Sequence, residues 1–179
     1  MNCEENSKRD LIGVIEFAFV LVVSSAMMIY GAAKYFQFGG DWPAEKTLGE
    51  LSGMELMWAF YGYSTTYVVL LGVAEMLGGW LLLIRRTRVL GALLISAILA
   101  NVIVQDIVYE VNQGALVAAI IYQLMTLSIL GIHRDALRKG LQALCVRNTN
   151  QSFVRRVWLS LAAIVLACGL KYVEYQLTH

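Results

Sequence analysis

Four stretches of the chain run for about twenty residues or more with at most two charged side chains each: residues 11–36, 65–84, 89–109 and 111–132. A helix rises about 1.5 Å per residue and the hydrocarbon core of a bilayer is about 30 Å thick, so some 20 apolar residues cross it. Each stretch therefore predicts a membrane-spanning helix. A fifth run, 153–173, has an uncharged centre between Arg156 and Lys171 and crosses if both cations reach back to the headgroups. The first run is too long for a signal-peptide core and lacks a clear cleavage site, so it is expected to be retained. The expected fold is all-α: a polytopic membrane helical bundle of four antiparallel core helices plus a fifth, C-terminal transmembrane helix.

Two connections are long enough to carry structure. In the outer loop, 37–64, Ser52 and Glu55 have the spacing of a capping box just before an apolar run, which makes Glu55 most simply a cap. A continuous helix over 53–84 would be about 48 Å long, too long for the bilayer core. The expected break is Gly62-Tyr63-Ser64, leaving 54–61 as a short interfacial helix that roofs the bundle. In the inner connection, 134–146, Leu137, Leu141 and Leu144 share one helical face with Arg138, Lys139 and Arg147 around it. That pattern suits a basic helix lying on an anionic membrane surface, with a solvated linker helix as the competing reading. The resulting organisation is a core with its outer loop over 1–132, a cytoplasmic basic amphipathic segment over 133–152, and the fifth helix with an external C-terminus over 153–179.

Charge placement orients the bundle. Lysine and arginine accumulate in cytoplasmic loops, and eleven of the fourteen lie on one side: Lys8, Arg9, Arg85, Arg86, Arg88, Arg134, Arg138, Lys139, Arg147, Arg155 and Arg156. Lys34, Lys46 and Lys171 fall on the other, with Asp41, Glu45, Glu50, Glu55, Asp106, Glu110 and Glu174. This predicts an N-terminus inside and a C-terminus outside, in a bacterial cytoplasmic (inner) membrane. Eight of nine tyrosines map near the outer interface, leaving Tyr122 elsewhere. The composition, 59% hydrophobic and 15% charged with net charge +1, is unlike a soluble domain and excludes a nucleic-acid partner. The three cysteines, Cys3, Cys145 and Cys168, are far apart, and His133 and His179 stand at helix ends or the terminus. Neither set predicts a metal site, a dithiol or a haem.

Ionisable residues inside a span are costly unless paired, neutralised or hydrated, which makes each a candidate for function. Glu75 precedes Arg85 by ten residues, about 15 Å, and so lies near mid-membrane as a proton site, protonated if isolated. Gly72 and Gly79 share its face and admit a close neighbouring helix. Glu16 and Gln123 fall at depths of about 10 and 16 Å, so three polar side chains from three helices are expected near one level, either as hydrogen-bonded glue between helices or as a ligand or proton site. Lys34 and Asp106 fall near the outer boundary, either paired or reaching water. Asn101, Gln105 and Tyr109 form a polar stripe that rises toward the outer loop, suited to a ligand entry path or to helix packing. The candidate ligand-binding set is Glu16, Lys34, Asn101, Gln105, Asp106, Tyr109 and Gln123, with Glu75 as the catalytic candidate.

Several of these pieces together resemble the DoxX-like family of small membrane proteins, over roughly 11–132. They are Tyr30-Gly31-Ala32-Ala33-Lys34, then Gly72-Val73-Ala74-Glu75-Met76-Leu77-Gly78-Gly79-Trp80, then the basic turn Arg85-Arg86-Thr87-Arg88 leading to Gly91-Ala92. The resemblance implies a four-helix antiparallel membrane bundle and a link to quinone-coupled oxidation or membrane oxidoreductase complexes. The fifth helix departs from that plan and suits a docking surface or a protomer contact. Two functions compete: a quinone-linked or accessory subunit of a membrane oxidoreductase, with quinone as cofactor and a redox protein as partner, or a non-catalytic module that binds lipid or a partner protein. Beyond the lipid bilayer, partner identity and homo-oligomerisation stay open. A proton-coupled transporter is disfavoured, since no repeated architecture is evident.

Overall fold

The computed structural model describes residues 3–39, 46–145 and 153–178. All regular structure among them is helical: α1 (Cys3–Phe38), a 3₁₀ turn (Leu48–Glu50), α2 (Gly53–Gly62), α3 (Thr65–Leu83), α4 (Arg88–Val108), α5 (Gln113–Ile132), α6 (Arg134–Leu144) and α7 (Phe153–Thr178). Five helices (α1, α3, α4, α5 and α7) are long and apolar enough to cross a membrane. The all-α reading holds, and the spans fall where the apolar runs put them. The first helix begins earlier than expected, because the polar residues ahead of Leu11 carry no helix breaker, and α7 runs five residues past 173. Pro43, Asp41, Glu45, Arg147 and His179 lie outside the described residues, as do the side chains of Cys3, Leu144, Arg156 and Tyr175.

The chain divides into two compact units, 1–139 and 140–179. In the first, α1 packs on α3, α3 on α4, α4 on α5 and α5 on α1, which closes a ring of four helices. Short turns at 84–87 and 109–112 make the joined helices antiparallel neighbours. Glu110, in the second turn, has φ 50°, and the Val111 amide after it donates to the Asp106 carbonyl (3.2 Å), a left-handed helix cap built without glycine.

Glycine sets the closest approaches. A Cβ on Gly31 would lie 2.5 Å from the Gly72 carbonyl oxygen, and one on Gly79 would lie 3.0 Å from that of Ser24. Gly31 thus levels with Gly72 and Ser24 with Gly79, so α1 and α3 run antiparallel with their backbones in contact, as small residues allow in membranes. One apolar core fills the ring around Val20, Val23, Leu82, Ile95 and Ile129. Large apolar side chains such as Leu70, Val73, Trp80, Leu90 and Val104 remain exposed on the outside of the ring. A bundle that buries little and exposes leucine and valine is what an integral membrane protein presents to lipid.

Between α1 and α3 the chain builds a roof. The Ser52 side chain accepts from the Glu55 amide (3.3 Å) and the Glu55 carboxylate accepts from the Ser52 amide (2.8 Å), the expected capping box. Lys46 adds an ion pair to Glu55 at 2.6 Å. Its hydrogen bond, followed by those from Ser52, holds the Glu55 carboxyl down at about 2. The break falls at Tyr63 and Ser64, as the excess length of a continuous helix required. Phe38, Met57, Tyr61 and Val68 form a small second core that fixes α2 on the bundle.

The second unit holds the end of α6 and all of α7, a single long apolar helix. α6 is strongly amphipathic, with Leu137 half-buried and Leu141 exposed.

Candidate functional site

Two clusters of ionisable residues stand at opposite ends of the four-helix ring. At the roofed end, Lys34 of α1 pairs with Glu75 of α3 (Nζ to Oε1, 3.1 Å). Gly31 and Gly72 are level, so Lys34 stands one turn above and Glu75 one turn below, about 9 Å apart along the axis. Helical side chains lean toward their own N-terminus, and in antiparallel helices that tilts these two toward each other. Depth counted along each helix separately had kept them apart. Glu75 is therefore bonded, one of the two states the sequence reading allowed it: it is only 4% exposed, and an ammonium faces it.

Asp106 of α4 is 8% exposed and makes no ion pair among the described residues. The sequence offered it either a bond to Lys34 or access to water. The bond to Lys34 does not form, because Glu75 takes the lysine, and the aspartate is buried beside the cavity. Two buried acceptors stay without a hydrogen-bond partner here, Glu75 Oε2 and Asp106 Oδ2.

These groups border a cavity of about 350 Å³, within the range for small-molecule sites. Its polar wall carries Lys34, Glu75, Asn101, Gln105, Asp106 and Asn112. Its apolar wall comes from Met27, Leu71, Ile98, Leu99 and Val102, and α2 supplies Met54, Met57, Trp58 and Tyr61 as the lid. The lid is hydrogen-bonded in place: Tyr61 Oη donates to Gln105 Oε1 (2.8 Å) and Trp58 Nε1 to the Gln37 carbonyl (3.1 Å). Burial pushes the Tyr61 phenol up. The Tyr30 and Tyr122 rings meet at 6.2 Å, so Tyr122 joins the aromatic set from which its sequence position had excluded it. Lys34 Nζ lies 5.6 Å from the centre of the Phe38 ring.

The opposite end holds a closed cluster. Glu16 Oε1 accepts from Arg88 Nη1 at 2.6 Å and lies 2.8 Å from His133 Nε2, while Arg88 Nε donates to the Leu82 carbonyl (3.3 Å). The carboxylate ties α1 to the start of α4 and the end of α5. No buried side-chain atom of these three residues lacks a partner.

Of the candidate residues, Lys34, Glu75, Asn101, Gln105 and Asp106 come together around the cavity. Glu16 and Gln123 do not join Glu75. Glu16 belongs to the far cluster, and Gln123 Nε2 bonds Ser96 Oγ (2.8 Å) across the α4–α5 contact. The expected convergence of three helices at one level fails, because each depth was measured from a different cation. Arg9 and Arg88 do not mark the same level once Glu16 reaches Arg88. Tyr109 is half-buried against the roof core, where Gly53 packs on its carbonyl. Sequence reasoning missed Arg88, His133, Tyr30, Trp58 and Asn112. An acid little more than one turn into the first apolar run, opposite a span that opens on arginine and a span that ends on histidine, was the available signal for the first two.

Among curated proteins, an uncharacterized protein of Bacillus subtilis (strain 168), YwoB, is 34% identical over 101 residues, which is 55% of this chain and 64% of that protein. The chain thus matches less than two thirds of that relative's length. No protein-family model matches the chain, and no solved structure does.

Proposed function

We propose that the chain is a membrane-embedded binding protein whose roofed cavity takes an amphipathic small molecule. The observation that carries this reading is a cavity lined by Glu75 and Asp106, each of which keeps one buried oxygen without a partner, together with the apolar side chains of Met27, Leu71 and Leu99. Leaving such acceptors unmade costs about 1–3 kcal/mol each, and a ligand that donates to them recovers it. The polar head sits against Lys34, Glu75 and Asp106, and the apolar body lies among Met27, Leu71 and Leu99. The cation-rich end faces the cytoplasm of a bacterial cell, which puts the N-terminus inside, the C-terminus outside and the roof outward. α6 lies along the inner membrane surface with Leu137 and Leu141 toward lipid.

The second reading, a quinone-linked or accessory subunit in the DoxX-like manner, draws on the same wall. The side-chain amides of Asn101 and Gln105 suit a quinone carbonyl, and the unpartnered carboxyl oxygens suit a quinol hydroxyl. Purification in mild detergent, followed by solvent extraction and mass spectrometry, tests both. A near-stoichiometric amphiphile that is lost from the double variant E75Q/D106N supports the binding reading, and a quinone in that position supports the second. Equal retention by parent and double variant would contradict both.

A further inference from the structure

The cavity wall holds more acids than bases, and this constrains its ligand. Two carboxyl groups, on Glu75 and Asp106, face it with one cation, Lys34, and all three are largely buried. Lys34 is already engaged by Glu75 Oε1 at 3.1 Å and rests near the Phe38 ring. What is left open is therefore an acceptor on each acid. A carbonyl or carboxylate head brings more acceptors and meets no free cation, whereas a hydroxyl satisfies one oxygen without balancing charge.

An ammonium satisfies both needs, since it carries up to three N–H donors and one positive charge. The remaining walls suit it as well. Tyr30, Trp58, Tyr61 and Tyr122 also line the cavity, and a desolvated cation that meets an aromatic face gains further attraction. In a water-poor cavity the attraction between an ammonium and a carboxylate is stronger than at an aqueous surface. We infer that the cavity selects amphiphiles with a protonated amine head over neutral or anionic amphiphiles of the same length, with Asp106 as the anion that meets the amine. This rests on the reading of the cavity as a ligand site and goes beyond it by naming the ligand class.

The test uses the full chain in nanodiscs of neutral phosphatidylcholine, titrated calorimetrically with decylamine, decanol and decanoate, and corrected for partition into empty nanodiscs. Decylamine is expected to bind at least tenfold more tightly than decanol, with decanoate weakest. In D106N the amine preference should fall below about threefold while decanol binding persists. Decyltrimethylammonium, which has the charge without N–H donors, should bind between the amine and the alcohol. Equal binding of amine and alcohol by the parent, or tighter decanoate binding, overturns the amine assignment and leaves the cavity as a ligand site. Binding of none of the probes, together with identical behaviour of A119F, in which a large ring is added at a buried cavity-lining position, overturns the ligand site itself. If D106N does not fold, the ratio measured on the parent still decides.

Discussion

The two ionic clusters of the bundle use nearly the same side chains to opposite ends. At the far end one carboxylate, Glu16, serves two donors, Arg88 and His133, and no buried polar atom of the three is left over. At the roofed end one acid, Glu75, takes the lysine and a second, Asp106, makes no ion pair, a buried oxygen stays without a partner on each, and a cavity lies beside them. A cluster whose buried polar atoms all find partners on neighbouring helices is a tie between helices. One with buried oxygens to spare, beside a cavity under a lid, is the basis of the proposed ligand site. Proximity of charges inside a membrane protein is thus a weaker sign of function than the balance of donors against acceptors.

The sharpest way to break this contrast is to remove Glu16. Glu16→Leu leaves the Arg88 guanidinium, only 8% exposed, without its carboxylate. Loss of one partner of a buried pair costs about 3–5 kcal/mol. Thermal unfolding in detergent should register that loss, and a change below about 1 kcal/mol would mean that the far cluster is not a structural tie.

Glycine substitutions pull at the two ends separately. Gly72→Ala directs a Cβ at the Gly31 carbonyl and parts α1 from α3 beside the Lys34–Glu75 pair, whereas Gly91→Ala meets the Leu82 amide next to the Arg88 cluster. Each collision is with backbone, which cannot rotate aside, so each is expected to cost about 1–3 kcal/mol. Only Gly72→Ala should also weaken ligand binding, by tenfold or more, as read by calorimetry. Equal loss of binding in both variants would argue against a cavity confined to the roofed end.

Asp106→Asn is expected to change stability by less than about 1 kcal/mol, since it exchanges one poorly satisfied group for another of the same shape. A larger loss of stability would place Asp106 among the helix ties and dissolve the contrast.

The roof provides the smallest effect. Glu55 is held at about 2 against an ordinary 4.5, so its carboxylate contribution to the cap is present above about pH 4.5 and is lost as pH falls toward 2. Hydrogen exchange at the Glu55 and Leu56 amides, corrected for intrinsic rates, should quicken over that interval. In Glu55→Gln that pH dependence should vanish, and a parent that showed none would detach the cap from Glu55.

How much of this was legible in the sequence follows from the range of each interaction. The spans were legible because they depend on length and apolarity alone, and the roof because capping box and break lie within a few residues of each other. Gly72 and Gly79 were legible as a contact face, since helical periodicity puts them beside Glu75. The Lys34–Glu75 pair was not, because it depends on how far α1 slides along α3, and that offset is set by glycine contacts on both helices. Nor was the far cluster: His133 falls just past an apolar run and reads as a helix end until its partner is known. Lys34, Asn101, Gln105 and Asp106 were legible as polar positions within or at the ends of spans, and the structure brings them to one cavity, but the lid residues Trp58 and Tyr61 carried no mark beyond being aromatic.

The central claim is that the free oxygens of Glu75 and Asp106 hold an amphipathic molecule while the Glu16 cluster only binds helices together. Native mass spectrometry of the full chain released from its own membranes addresses this directly, comparing the parent with E75Q/D106N and with H133Q. The account predicts an added small-molecule mass on the parent and on H133Q that is absent from E75Q/D106N. The same added mass on all three, or on none, would contradict it.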